Sequence, residues 1–317
     1  MKIVIPGGTG QVGTVLARAL HADGHEVVVL GRTAKNFPWR FGEWDGETIG
    51  DWANEIDGSD VVINLAGRNV NCRYNEENKR EIMESRVKST RVLGESISRA
   101  TRPPKVWLQS STATIYSHRY DEPNDEVTGI IGGAEPNVPA EWKFSIDVAT
   151  AWERETNIAD TPKTRRVLMR SAIILSPDRG GIFDVLLGLV RRGLGGKAGD
   201  GRQFVSWVHD LDFLRAVYWL IEHEDLSGPV NISAPAPLPQ DEFMRILREA
   251  YGMPIGLSAP EWMLGIGAVL MRTETELALK SRRVVPKVLT DSGFKFEFPN
   301  WKEAAGDLVQ RWRKGDR

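Results

Sequence analysis

Three glycines, Gly7, Gly10 and Gly13, lie in the stretch IVIPGGTGQVG directly after a β-branched run. In the spacing G-x-x-G-x-x-G they allow a tight turn, the approach of backbone N–H groups to a pyrophosphate, and close packing of the next helix, whose N-terminus favours negative charge. Thr9, Gln11 and Val12 fill the loop between them and complete the expected contact set, so the chemistry on offer is a dinucleotide cradle. The next β-branched run, EVVVLGR, ends in Gly31 and Arg32, where an acid would accept a hydrogen bond from the adenosine ribose. An acid there repels a 2′-phosphate, whereas an arginine pairs with it in a bidentate fashion, which favours NADP(H) over NAD(H). The alternative for Arg32 is a solvated arginine at a strand end. Leu65, Ala66 and Gly67 close the run DVVINLAG; the small residues let a cofactor lie against that strand tip, and close packing explains them nearly as well.

These groups need elements to hold them. KIVIPGG, TVLARALHADGH and EVVVLGR read as strand, helix and strand. DVVINLAG (60–67), KVWLQSSTATIY (105–116), RRVLMRSAIILS (165–176) and PVNISA (229–234) are further strand candidates, separated by helical stretches such as NKREIMESRVKSTRVLGESISRA. Strands alternating with helices predict an α/β fold, a Rossmann doubly wound parallel sheet. The glycine-rich stretch 177–203, and the mostly helical pattern from Pro235 with prolines at helix starts such as Pro260 and Pro286, predict a smaller, mostly helical C-terminal substrate lobe. The division expected is 1–176 plus about 204–234 for the dinucleotide-binding part, and about 177–203 plus 235–317 for the substrate lobe.

Composition narrows the partners. The chain has 317 residues, 41% hydrophobic and 26% charged, as a globular protein does. Its 41 Lys plus Arg against 43 Asp plus Glu leave a formal charge of −2, so no global field attracts nucleic acid or an anionic membrane. A single cysteine, Cys72, and five histidines without ligand spacing point away from disulfides and zinc, and toward a reducing, cytoplasmic setting. The N-terminus reads straight into a β pattern without the features of a signal peptide. The longest apolar stretch, WMLGIGAVLM (262–271), is about half the ~20 residues that span a bilayer, and reads as a helix buried against the body of the protein or a second subunit, leaving a homodimer open.

Taken together, GGTGQVG, VVINLAG, KREIMESRVKSTR, SSTATIY, GDGRQFVSWVH and LSGPVNISAP resemble the extended short-chain dehydrogenase/reductase superfamily. More closely, the chain is similar to its atypical, epimerase-named branch (NAD-dependent epimerase/dehydratase-like), whose members carry a characteristic C-terminal domain. The resemblance implies an NADP-type cofactor in the Rossmann half and a small-molecule pocket between the lobes. Superfamily members normally protonate the reduced carbonyl from a tyrosine whose pKa a lysine four residues later depresses, with a Ser or Thr hydroxyl polarising the oxygen. Thr112 matches that hydroxyl residue. Aligning AWE (151–153) with the pattern after the lysine puts Ser145 in the tyrosine's place and Ala149 in the lysine's. Lys143, two residues from Ser145 on a helix, has the wrong spacing to face it. Losing both groups without compensation costs part of the ~10²–10⁴ that positioned acid–base catalysis supplies. Tyr116, or a bound water, is the expected substitute for handling the proton, with packing as the alternative for the tyrosine, while Tyr120 reads as surface. In the second lobe, Arg202 and Trp207 are the expected substrate contacts; Trp207 filling core and His209 fixed by Asp210 are the alternatives. Arg68 and Arg170 are further pocket candidates.

Two functions fit: an NADP(H)-dependent oxidoreductase or epimerase-like enzyme on a small organic substrate, or a non-catalytic NADP(H) sensor that signals through a partner.

Overall fold

A computed structural model describes residues 1–34, 36–260 and 276–315. The apolar run 262–271 and the helix expected after Pro260 lie outside the described residues. Strands β1 (Lys2–Pro6), β2 (Glu26–Gly31) and β4 (Val61–Asn64) are the apolar β-branched runs, almost wholly buried as parallel strands covered on both faces must be. Helix α1 (Gln11–Ala22) joins the first two, and β3 (Arg40–Glu43) and the short α2 (Ala53–Ile56) precede β4. Helix α3 (Glu76–Arg99) starts on Asn75, whose side chain accepts from the Asn78 amide, and leads to β5 (Val106–Thr112). Helix α4 (Ala140–Ile158), β6 (Arg165–Ser171), β7 (Ile173–Leu175) and α5 (Ile182–Arg191) follow. After these come β8 (Phe204–Val205), β9 (Trp207–His209), α6 (Asp210–Glu222) and β10 (Gly228–Ile232). The described chain closes with β11 (Leu238–Pro239), α7 (Gln240–Tyr251), α8 (Glu276–Leu279), α9 (Lys287–Asp291) and α10 (Trp301–Lys314).

Seven strands form one parallel sheet in the order β10-β6-β5-β4-β1-β2-β3. Alternation along each strand feeds two cores: Ile3 and Ile5 pack with Leu16, Leu20 and Phe213, while Val4 faces Val92, Leu93 and Trp107 on the other side. This is the doubly wound fold that the alternating pattern predicts.

Two continuous runs of the sequence are broken in space. The stretch 165–176 divides at Ala172: β6 stays in the large sheet, and β7 leaves it to pair with β9. The stretch 105–116 stops being a strand at Thr112, whose hydroxyl accepts from the Thr114 amide at 3.1 Å and starts a single 3₁₀ turn over 113–115. A third core gathers around Leu175, Phe183, Trp207, Phe243 and Trp301, with Phe243 stacked on Trp301 at 4.1 Å.

That core is tied down by a buried histidine. His209 is 0% exposed and stacks on Phe298 at 3.9 Å. Its Nδ1 accepts from the Leu211 amide and its Nε2 lies 3.0 Å from Asp307, which makes it a neutral donor to that carboxylate. Beside it, Arg311 grips Asp210 with two bonds of 2.9 Å, fixing α10 to α6. Burial holds the His209 pKa below its ordinary 6.5. A depressed folded-state pKa gives stability that is present above the ordinary value and lost as pH falls, because the unfolded chain takes up the proton first. The melting temperature should therefore fall on acidification through 6.5. His209→Gln should flatten part of that slope, and His118, whose pKa is lowered in the same direction by its own burial, contributes to what remains. Melts across a pH series check both.

Candidate functional site

The three glycines of the first loop do different work. Gly7 has φ +75°, and a Cβ there would meet the Ala66 nitrogen at 2.6 Å. Gly13 lies so close to the strand end that a Cβ would stand 2.4 Å from the Gly8 Cα. At Gly10 a Cβ would meet only the Gly7 oxygen, at 3.6 Å, so this glycine leaves room above the loop. Helix α1 begins there, capped by no side chain and with no acid in its first turn, which includes Gln11 and Val12. Its first N–H groups are thus oriented for an anion, with no carboxylate competing. Thr9 packs against Gly31, where a Cβ would come within 3.0 Å of its methyl. Gln11 reaches the start of α5: its amide occupies the space a side chain at Gly181 would need.

Arg32 stands exposed at the end of β2, on a depression of about 380 Å³ whose walls include Trp44, Asp45, Thr48 and Trp52. At the tip of β4, Leu65 is half-buried and Ala66 buried, with the Ala66 amide donating to Asn64 Oδ1. Gly67 is exposed on one side and closed on the other, since a Cβ would stand 3.0 Å from the Arg86 guanidinium carbon. This tip, the loop of Gly7 to Gly13 and Arg32 lie side by side at the ends of the adjacent strands β4, β1 and β2, bordering the groove where a doubly wound sheet is expected to take a dinucleotide.

The positions of the missing tyrosine and lysine lie on α4, beside the turn after β5. Ala149 is 0% exposed, enclosed by Ala113, Ile115, Tyr116 and Val284, so the lysine's place has become an apolar contact between α4 and the turn after β5. Tyr116, 2% exposed, donates to Asn231 Oδ1 and accepts from Arg170, both at 2.9 Å. Arg170 is itself held by Glu153 in a two-bond pair of 2.8 and 2.7 Å, and Ser111 donates to the same carboxylate. Burial raises the Tyr116 pKa. Arg68, by contrast, is tied to Glu81 and Asn78 on α3.

Ser145 is half-buried on α4, with its Oγ 2.5 Å from Glu276 Oε2 and hydrogen-bonded to Tyr74. Glu276 is 1% exposed and lies 3.6 Å from Arg282. Arg282 donates to the Thr114 hydroxyl at 3.1 Å, and Lys280, 2% exposed, donates to the Thr114 carbonyl at 2.7 Å. Thr112, half-buried two residues earlier, caps the same turn. Burial raises the Glu276 pKa. Burial pushes Tyr74 up to about 12, while burial, then Arg282, brings Lys280 down to about 8.

Sequence reasoning finds Thr112 and Ser145 but misses Tyr74, Glu276, Lys280 and Arg282. No spacing links residues 131 apart, and KSRR (280–283) has the look of a solvated charge run. Arg202 is exposed, 5.5 Å over the Tyr120 ring, and an aromatic row runs on through His118 to Trp142. The Ser281 amide donates to His118 Nδ1, joining that row to the segment after Glu276. Trp207 is placed elsewhere: it is 0% exposed, 5.0 Å from Trp301 in the third core. Among the described residues no three His, Cys, Asp or Glu side chains gather to hold a metal, and no helix is long and apolar enough to cross a membrane.

Comparison with known proteins agrees with this fold. The model of the NAD dependent epimerase/dehydratase family matches residues 3–233, and that of a domain of unknown function, DUF1731, matches 259–308. An epimerase family protein of Staphylococcus epidermidis is 32% identical over 312 residues, covering 98% of this chain and 99% of its own. The crystal structure of human epimerase family protein SDR39U1 (isoform 2) with NADPH superposes with a TM-score of 0.85 at 27% identity, covering 98% of this chain and 99% of that one. A nucleoside-diphosphate sugar epimerase from Corynebacterium glutamicum superposes with a TM-score of 0.75 at 29% identity, covering 97% of this chain and 58% of that one.

Proposed function

Because this chain belongs to the NAD dependent epimerase/dehydratase family, with an extended short-chain dehydrogenase/reductase fold, we propose that it is an NADP(H)-dependent oxidoreductase acting on a small organic carbonyl or conjugated carbonyl compound. The observation that carries the reading is the open N-terminus of α1 at Gly10, with Arg32 at the neighbouring strand end. When bound, the nicotinamide supplies or accepts hydride. Of the chain's own groups, Gly7, Thr9, Gly10, Gln11, Val12 and Gly13 cradle the pyrophosphate, and Leu65, Ala66 and Gly67 support the dinucleotide along β4. Arg32 pairs with the 2′-phosphate, which a solvated guanidinium does by two parallel bonds. Thr112 and Ser145 orient the reacting oxygen. Tyr116 already has a donor and an acceptor in the interior, so we assign it to holding the turn after Thr112 rather than to proton delivery. Arg202 offers a cation at the rim, beside Tyr120, for an anionic part of the substrate.

Charge-assisted hydrogen bonds contribute ~1.5–3 kcal/mol, and ~1.4 kcal/mol is tenfold in affinity. Arg32→Ala should therefore weaken NADPH binding by roughly 10- to 100-fold and leave NADH binding unchanged. Fluorescence titration with each nucleotide checks this; equal losses for both would mean that Arg32 does not read the phosphate.

The apolar packing of Ala149 and the enclosed hydroxyl of Tyr116 favour a second reading, a nucleotide sensor without turnover. Single-turnover loss of NADPH absorbance against fractionated metabolites separates the two. Oxidation by one fraction supports the reductase, and tight binding with none supports the sensor.

A further inference from the structure

We propose that Glu276 is the proton store for Ser145, so that a buried carboxylic acid from the second lobe, relayed through a serine hydroxyl, does the work of the absent tyrosine and lysine. This inference rests on the reading of the groove as a site of hydride transfer.

A serine hydroxyl has one proton and two lone pairs. Ser145 already has two partners, Glu276 Oε2 at 2.5 Å and the Tyr74 hydroxyl. If Glu276 is a carboxylate, the serine proton is spent on it and nothing remains for a substrate. If Glu276 is a carboxylic acid, it donates to Ser145, Tyr74 donates as well, and the serine proton is free to point into the groove. The surroundings favour the acid. Glu276 is 1% exposed, and its other oxygen, Oε1, is buried with no hydrogen-bond partner, its nearest cation, Arg282 Nη2, standing 3.6 Å away. An ionised carboxylate so placed forgoes most of its solvation.

Among the described residues, the charged and titratable groups around it are Arg282, Lys280, Glu141 and Tyr74. Arg282 and Lys280 favour the anion and Glu141 opposes it, but both cations are also committed to Thr114. Burial is the largest influence, and it raises the carboxyl pKa. Arg282, 3.6 Å away, is placed to receive the negative charge once the proton has left.

The step balances. The substrate carbon gains a hydride from the reduced nicotinamide, the π electrons move onto the substrate oxygen, and that oxygen takes the Ser145 proton. Ser145 takes the Glu276 proton in the same event, since a free serine alkoxide is too basic to accumulate. The Glu276 carboxylate recovers a proton from solvent. The net change is substrate, NADPH and one proton to reduced product and NADP⁺.

Ser145 touches the substrate; Glu276 acts through it and needs a readout that structure alone would not move. Infrared difference spectra of the full chain, with and without NADP⁺, supply one. A protonated-carboxyl stretch should persist at about pH 6, where an ordinary glutamate is almost fully ionised. It should disappear in Glu276→Gln and shift in frequency in Ser145→Ala, which removes its hydrogen-bond partner. If Glu276→Gln does not fold, the shift in Ser145→Ala carries the test. Ionisation of the carboxyl near its ordinary value of 4.5, or a band unmoved by Ser145→Ala, overturns the proposal. Failure to bind NADPH would instead count against the oxidoreductase reading, and the titration remains measurable without cofactor.

Discussion

Gly13→Ala should lose NADPH binding by more than ~100-fold and lower the melting temperature, whereas Gly10→Ala should lose binding with little change in stability. The two differ in what a methyl group meets. At position 13 it would stand 2.4 Å from the Gly8 Cα and 2.7 Å from the Gly8 carbonyl carbon and oxygen, which are backbone atoms that cannot rotate away. The loop has to open, at the ~1–3 kcal/mol typical of overpacking, and the spacing of its N–H groups opens with it. At position 10 the methyl meets only the Gly7 oxygen, at an ordinary 3.6 Å, and the residue's φ of −73° suits any side chain. What it obstructs is the space through which a pyrophosphate reaches the amides. Thermal melts and nucleotide titrations on both variants check the contrast. Parent-like NADPH affinity in Gly13→Ala would show that the loop tolerates being opened.

The second large effect is expected at Glu153. Its carboxylate holds Arg170 by two bonds, each side chain only 9% exposed, and also accepts from Ser111 at 2.6 Å. Glu153→Ala leaves a guanidinium in the interior with the Tyr116 hydroxyl as its remaining side-chain partner among the described residues, a loss of about 3–5 kcal/mol. Against a total stability of ~5–15 kcal/mol that is enough to depopulate the fold. The pair of Arg91, which is more than half exposed, and Glu155, two residues further along α4, supplies the control, since breaking a pair at the surface costs ~1 kcal/mol or less. Urea unfolding of Glu153→Ala and Arg91→Ala should separate them clearly, and equal costs would mean that Arg170 finds solvent when released.

The parallel sheet was legible because each strand–helix unit is local: a buried run, a glycine turn and an amphipathic helix follow one another within about thirty residues. The loop glycines were legible for the same reason. Elsewhere the deciding contact comes from far away in the sequence. Nothing in the apolar run 165–176 marks Ala172 as the place where β7 leaves for β9, because Ile173, Ile174 and Leu175 continue the same pattern. Trp207 in SWV fits a pocket wall or a core equally well, and only Trp301, at the start of α10, decides for the core. Ser145 was found by what it replaces, but its partners Glu276 and Tyr74 have no neighbour in sequence that hints at the meeting.

The 131-residue separation between Ser145 and Glu276 also orders events in time. A growing chain releases the whole phosphate loop and the first five strands of the sheet long before residue 276 exists, and domains generally fold as their residues emerge. Contacts that close long loops form late, because the entropy of closure is lost before the contact repays it. On the reading proposed above, the phosphate loop is therefore complete before the acid behind Ser145 arrives, and the nascent protein would pass through a stage able to hold a dinucleotide but not to protonate anything bound beside it.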